Sequence, residues 1–480
     1  MRPVACSARR TVAVLVCIAS LSVAVLVPVC QGLAADKQKG DPQAIQPEAG
    51  IDMKIVHRIK IVRDEKWNPY AYANPAQLDK DPEWEFVMTC SERFTRAYDW
   101  DGTLLWERFD PDGVRPRNVW HEVVTPTWDL DGDGIDEVIT FGRVDGKHML
   151  LVLDGPTGKI RHRYEHKQPT TDLRAIVYYP RKDGKPYIAM AGGDALNRVL
   201  ILDAELNLVA SANVPDATHH LFYYDMNGDG THELCAGRYV VDIDRQRTKV
   251  AWDLREHLPT HADALMVADV IEDEPGPELF ICDNNSLTML LNVPSRKVLW
   301  STEEVYDNND TLIAELDGKE GYELLTKSEH GRVNRAEKKT YFLSHTGKVT
   351  DPNCGWPPAA MMAVDIDGDR DAAELLTYHA NLRRYPKMNL LLPPDWFRRH
   401  RPDSNAKDWH PYPIVTDLIG DSREEIVMWG VDEIVIGQNV AKPPVKLGKS
   451  WKNDREYLLR VRNRCLNRAS QFFEYRESAR

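Results

Sequence analysis

Short apolar runs alternate with acidic, glycine-bearing turns along most of this chain. The runs "EVITF" (137–141), "ELLTK" (323–327) and "EEIVMW" (424–429) are rich in β-branched and apolar side chains and are bounded by Asp, Gly and Pro. That length and composition predict strands. A second kind of run closes on a hairpin signal: "AYDWDGTLLW" (97–106), "LLVLDGPTGKI" (150–160), "LILDAELNLV" (200–209) and "LLNVPSRKVLW" (290–300). Asp-Gly and Gly-Lys pairs there fit tight turns between antiparallel strands. The 3.6-residue period of a helix is absent until the last stretch, "REYLLRVRNRCLNRASQFF" (455–473). There Leu458, Val461, Cys465, Ala469 and Phe472 fall on one face, which predicts an amphipathic helix docked on the outside of the fold.

The acidic turn repeats. "DLDGDGIDEV" (129–138) returns as "DMNGDGTHEL" (225–234), "DVIEDEPGPEL" (269–279), "ELDGKEGYEL" (315–324), "DIDGDRDAAEL" (365–375) and "DLIGDSREEI" (417–426), and "QLDKDPEWEF" (77–86) is a worn copy. "YYPRKDGKPYIAM" (178–190) sits midway in the one double-length gap. The units recur every 44 to 52 residues or so, roughly the period of a propeller, solenoid or array. Several short strands per unit select an all-β propeller and exclude a two-helix solenoid. Eight blades are expected, seven being the alternative. The strand-like "MKIVHRIKIV" (53–62) precedes the first copy and is placed to supply the missing outer strand of the last blade, closing the ring. The chain divides into a leader (1–35), a flexible linker (36–52), the propeller (53–450) and a C-terminal helical extension (451–480).

Composition narrows the setting. Arg2, Arg9 and Arg10 precede an apolar run over residues 11–29, followed by "GLAAD" with small residues at Ala34 and Ala35. This is a secretory signal layout, predicting a secreted or periplasmic protein whose mature chain starts near Ala35 or Asp36. The apolar run is long for a signal, so an uncleaved membrane anchor is the alternative. The formal charge of −13 argues against a nucleic-acid partner, and a monomer is expected. Three of the eight cysteines lie in the leader; Cys90, Cys235, Cys282, Cys354 and Cys465 are too scattered for a disulfide scaffold, and no CxxC pair points to zinc. They read as small buried side chains.

Two readings of the acidic turns stay open. In the first copy the carboxylates of Asp129, Asp131, Asp133 and Glu137, with the Ile135 carbonyl, form a donor set that suits calcium. Asp225, Asn227, Asp229 and Glu233 repeat it, as do Asp365, Asp367 and Asp369 with Glu374. The loop is not an EF-hand, because Thr140 stands at the twelfth position, where an EF-hand requires glutamate. The same side chains also serve as Asx turns that hold their own backbone without metal. The expected cofactor is structural calcium in these copies; the worn copies read as turns alone.

The pattern "DxDGDGxxE" opening each blade, "DG…LLW" or "TGK" closing it, "DLIGDSREEIVMWG" (417–430) and above all "HADALMVADVIEDEPGPELF" (261–280) resemble the bacterial rhamnogalacturonan lyase and ulvan lyase propellers. The likeness covers residues 74–436; the acidic turn by itself is also the FG-GAP/VCBS-type blade repeat of adhesion propellers. The resemblance implies a propeller, structural calcium and cleavage of a uronic-acid polysaccharide by β-elimination. Such chemistry needs a cation or donor on the uronate carboxylate, a base for the C5 proton and an acid for the leaving oxygen. His121 and Arg143 flank the second acidic turn and its strand; "THHLFYY" (218–224) and Arg238 flank the fourth. By the resemblance, His121 and Arg238 fall at catalytic places of the ulvan lyases. Arg143 stands where a second histidine is expected there, and the tyrosine's place falls between Phe222 and Tyr223. The catalytic candidates are His121, Tyr223, Arg238, Arg143 and His220. His121 and Tyr223 would exchange protons, and Arg238, helped by Arg143, would hold the carboxylate, all facing one end of the ring.

A second cluster lies in "LRRYPKMNLLLPPDWFRRHRPDSNAKDWH" (382–410), where Arg398, Arg399 and Trp396, together with His261 elsewhere, are candidates for binding an acidic polysaccharide. The runner-up function is a non-catalytic carbohydrate-binding or adhesion propeller. A third is a quinoprotein-like propeller, because "LDGPTGKI" and "RKVLW" resemble the blade-end motifs of quinone dehydrogenases. That family wants a tryptophan after each "TGK" strand, whereas His162 and Tyr164 stand there.

Overall fold

The computed structural model describes residues 50–463, except 63–70, 115–125, 168–172, 182, 193–196, 216–220, 245–246, 259–261, 284–286, 304, 306–307, 320, 329–338, 352–360, 370–371, 378–381, 386–388, 393–395, 397–412 and 442–449. It contains eight four-stranded antiparallel sheets. Blades 1 to 7 take their strands in chain order, over 72–109, 127–165, 173–213, 221–253, 262–302, 308–351 and 361–390. Blade 8 (414–439) borrows Met53–Lys60, which pairs antiparallel with Glu433–Asn439. The ring therefore closes as the sequence predicts, with the first strand of the propeller serving the last blade. First strands of blades 1 and 2, 3 and 4, 5 and 6, and 6 and 7 touch one another along the inner wall. The inner three strands of a blade are buried on both faces, as in Glu85–Cys90, while outer strands such as Leu104–Phe109 are largely exposed. Among the described residues no helix is long and apolar enough to cross a membrane. Cys90, Cys235 and Cys282 are buried and in no disulfide; Cys354 and Cys465 lie outside the described residues.

The "TGK" turns hold neighbouring blades together. Trp106 of blade 1 donates its indole N–H to Gly155 O of blade 2 at 2.7 Å, and Trp300 of blade 5 donates to His345 O of blade 6 at 2.7 Å. Each ring lies flat on a glycine at positive φ, Gly158 or Gly347, where a Cβ would come within 2.5 Å of the ring. The blade-end likeness to quinoproteins is here a packing device between blades.

Each acidic turn joins the first strand of its blade to the second and is closed by the glutamate at its end. Glu85, Glu137, Glu233, Glu278, Glu323, Glu374 and Glu425 accept the backbone N–H of Leu78, Leu130, Met226, Val270, Leu316, Ile366 and Leu418, all within 3.1 Å. Blade 3, built on "YYPRKDGKPYIAM", has Tyr187 at that place. Burial of these glutamates pushes Glu85, Glu137, Glu233 and Glu323 up to about 7, raises Glu278, and holds Glu374 and Glu425 well above the usual carboxylate range.

In blades 2, 4 and 8 the residue before the glutamate ties the blade to the one before. Asp136 donates its N–H to Gln77 O and accepts Gln77 N–H on Oδ2, both at 2.7 Å. His232 does the same with Tyr179 through Nδ1, and Glu424 with Asp365 through Oε2. These three residues present their remaining polar atom to the terminal helix Arg455–Arg462. Arg462 Nη1 reaches Asp136 Oδ1 at 2.8 Å, Glu456 lies 3.4 Å from His232 Nε2, and the Tyr457 hydroxyl donates to Glu424 Oε1 at 2.6 Å. Asn463 bonds both the N–H and the C=O of Val177, in the first strand of blade 3. The helix thus seats on the inner wall, contrary to the expected outside docking. The buried face is Tyr457, Leu459, Val461 and Arg462, so an arginine that hydrophobic periodicity assigns to solvent is interior. Its guanidinium lies between the Trp84 and Trp128 rings, 4.9 and 5.3 Å from their centroids. Cys465, Ala469 and Phe472 lie outside the described residues.

Two outcomes follow from this packing. Arg462→Ala strands the Asp136 carboxylate in an interior where the arginine side chain is 4% exposed. Loss of one partner of such a pair costs about 3–5 kcal/mol, measurable by denaturant unfolding. The second outcome concerns pH. Glu278 and Glu425 have folded-state pKa values above their unfolded ones, so between the two values the folded state binds more protons. Their contribution is complete below about pH 4.5 and is lost as pH rises through their raised folded-state values. Protein free of divalent cations should melt at higher temperature at pH 5.5 than at pH 8. Glu425→Gln, which keeps an oxygen for the Leu418 amide, should narrow that difference.

Candidate functional site

The second strand of each blade starts at its acidic turn and ends at the opposite end of the ring. In Glu137–Val144 the clamping Glu137 opens the strand and Arg143 nearly closes it, about 20 Å away at 3.3 Å per residue. Arg238 likewise follows Glu233–Ala236, at the far end from Asp225. The two arginines therefore share one end, in blades 2 and 4, and the acidic turns occupy the other. The run of the strand sets both arginines a strand's length from the acidic turns.

Both arginines are half-buried and aimed by backbone carbonyls. Arg143 donates to Asp112 O at 3.0 Å and Gly146 O at 3.3 Å, with the Asp110 carboxylate 3.9 Å away. Arg238 donates to Leu258 O at 2.9 Å. Arg93, in the turn of blade 1 at this end, donates to Asp110 O and lies over the Phe109 ring, and Arg174 is buried near the start of the first strand of blade 3. A chain of net charge −13 thus gathers cations at this end.

Beside Arg143 stands a group that sequence reading missed. The two-residue turn Asp145–Gly146, both at positive φ, pairs Arg143 with His148 across the hairpin. His148 Nδ1 is 2.7 Å from Glu92 Oε1, in the turn of blade 1 at the same end. His166 lies behind it, with ring centroids 6.1 Å apart. The hairpin "RVDGKH" (143–148) is readable as a signal for the Arg143–His148 pair. Nothing local signals Glu92, which arrives from the neighbouring blade.

Tyr223 lies elsewhere. It is 4% exposed, in the first strand of blade 4, with its ring 4.7 Å from His232 and its hydroxyl beside Asn463. Burial drives its hydroxyl far above the ordinary phenol range. It packs under the terminal helix and does not share the surroundings of Arg238. Trp396 is half-buried over Gly437 of blade 8, packed against the core. His121, His220, His261, Arg398 and Arg399 lie outside the described residues.

At the opposite end the acidic turns behave first as Asx turns. Asp129 accepts the amides of Gly132, Asp133 and Gly134, and Asp225 those of Asp229 and Gly230. Four groups bring carboxylate oxygens within 4.8 Å of one another: Asp79, Asp81 and Glu85; Asp129, Asp131 and Glu137; Glu315, Asp317 and Glu323; and Asp365, Asp367 and Asp369. Asp133 bonds the Ile135 amide. In two turns a cationic side chain already bridges the carboxylates: Arg161 joins Asp131 (2.7 Å) to Glu137, and Arg384 joins Asp367 (2.8 Å) to Glu374. In the Asp225 turn Asn227 instead donates to Glu233 at 3.0 Å.

Residues 178–438, just over half of the chain, match the family described as rhamnogalacturonan lyase family 11, C-terminal domain. No curated protein matches the sequence. Among solved structures the chain is similar to rhamnogalacturonan lyase YesW, with a TM-score of 0.68 and 19% identity over 86% of this chain and 80% of that one. It is also similar to rhamnogalacturonan lyase PL11 of Bacillus licheniformis (0.63, 19%, 84% and 77%) and to the exotype rhamnogalacturonan lyase YesX (0.63, 18%, 86% and 80%). At these identities the structures share the eight-bladed fold, and it is the match over residues 178–438 that makes this chain a member of rhamnogalacturonan lyase family 11.

Proposed function

We propose that the protein is an exported polysaccharide lyase that cleaves a uronic-acid-containing glycan, rhamnogalacturonan- or ulvan-like, by β-elimination. Family membership gives the reaction class, and the observation that carries the reading to this chain is the pair of half-buried arginines, Arg143 and Arg238, at one end of an otherwise acidic ring. A guanidinium at that end neutralises the uronate carboxylate, which makes the proton on the adjoining C5 acidic enough to remove. It also draws an anionic polymer to a protein whose net charge would otherwise repel it. The glycan is the partner; the reading invokes no nucleic acid.

Calcium is proposed as a structural ion, held by Asp225, Asn227, Asp229 and Glu233, which supply four side-chain oxygens of the kind calcium takes. At the Asp129 and Asp365 turns the ion competes with Arg161 and Arg384 for the same carboxylates. Bound there, calcium neutralises clustered carboxylates and stiffens the turn; it takes no part in the elimination at the other end.

A panel of acidic polysaccharides, read by the absorbance of the unsaturated product, tests the activity. The expected result is cleavage of at least one uronic-acid polymer, with Arg238→Ala lowering binding and rate together, because the carboxylate is held in both ground and transition states. A parent protein that binds such polymers and cuts none is a binding propeller. For calcium, a chelator should lower the melting temperature of the parent by mass action, and Asp225→Ala should remove most of that response. An unchanged melting temperature, with no calcium in the purified protein, would leave these loops as turns alone.

A further inference from the structure

We propose that His148 is the base that removes the C5 proton, oriented by the buried carboxylate of Glu92, with Arg143 holding the carboxylate of the same sugar. The inference rests on the lyase reading and adds the residue that moves the proton.

The geometry begins with Glu92, whose side chain is 0% exposed. Its turn is braced by the segment after the outer strand of blade 1. Glu92 N–H bonds Val114 O at 3.2 Å, Val114 N–H points back to Glu92 Oε2 at 3.4 Å, and Gly113 packs directly on the Glu92 backbone, where a Cβ would come within 2.4 Å. The carboxylate therefore cannot swing away from His148. In the proposed arrangement Glu92 accepts as a carboxylate, so the proton of the 2.7 Å contact sits on His148 Nδ1. That selects the tautomer in which Nε2 carries the lone pair. The side chain is 25% exposed, and Nε2 takes no partner among the described residues. A base tied by one nitrogen to a buried acid, with the other nitrogen open, is the arrangement used to accept a proton from a reacting group and to stabilise the imidazolium that forms.

Arg143 makes the position specific. In this elimination the acidic proton is on the carbon that bears the carboxylate, so the group holding the carboxylate and the base must be neighbours. Arg143 and His148 are directly paired across the hairpin. Paired residues have Cα atoms about 4.5–5.5 Å apart and side chains on the same face of the sheet. The other titratable and charged groups around the ring are His166 behind it, whose N–H bonds His148 O at 3.2 Å, and the Lys147–Glu165 pair at 2.8 Å on the adjoining strands. The step balances: Nε2 takes the C5 proton, the C5–H electrons form the C4=C5 bond, and the C4–O bond breaks with its pair on the leaving oxygen. Water protonates that oxygen, and the imidazolium returns its proton to solvent.

The test uses the full chain and a polymer that the parent cuts. His148→Gln should lower kcat by about 10²–10⁴-fold, with KM little changed and the melting temperature within a few degrees. Glu92→Gln removes the negative charge that favours the imidazolium, so it should lower kcat and move the acid limb of the kcat/KM profile to lower pH. The ring-proton titration of His148, followed by NMR, should move in the same direction. A bracing role alone would change the melting temperature and leave the acid limb in place, which overturns the proposal. Parental kcat in His148→Gln also overturns it and leaves the lyase reading standing. A parent that cuts no uronic-acid polymer overturns both.

Discussion

A carboxylate buried against a backbone amide costs desolvation free energy, and seven blades take on that cost at the same place. The glutamate that ends each acidic turn faces inward, closes its own turn and is raised above its ordinary pKa by burial. In blades 2, 4 and 8 the residue before it ties the blade to its predecessor through two hydrogen bonds. These three ties hold the terminal helix on the inner wall. The Met53–Lys60 strand closes the ring itself.

That division of labour sets where chemistry can occur. The acidic-turn end is filled by the helix and by Arg161, Arg384 and Arg462, which neutralise its carboxylates. The opposite end carries Arg143, Arg238 and the His148–Glu92 pair, where the two arginines and the histidine are held and still reach solvent. The length of a strand separates the acidic turns from Arg143 and Arg238, and the carboxylates that remain beside the arginine end, Glu92 and Asp110, lie against His148 and Arg143.

The same motif therefore carries two meanings. In blades 2 and 7 the acidic turn is neutralised from within by an arginine, and in blade 4 the Asn227 amide donates to the closing glutamate instead. In blade 8, Asp417 has become a tether for Ser450 and Trp451. A repeated sequence element supplies the turn everywhere, and each blade decides separately what charge balances it.

Periodicity determined the blades, their number and the strand that closes the ring, because a repeat of short strands and tight turns is encoded within each unit and each strand needs only its neighbours. The Arg143–His148 pair was also legible, since a two-residue Asp-Gly turn sets its own register. Three things were decided only by the tertiary structure. Glu92 meets His148 across two blades, Arg462 is interior although its spacing places it toward solvent, and Tyr223 faces the helix instead of the arginines. Each depends on contacts between residues far apart in the chain, where the ring brings different blades together. Local pattern carries no information on which partner waits there.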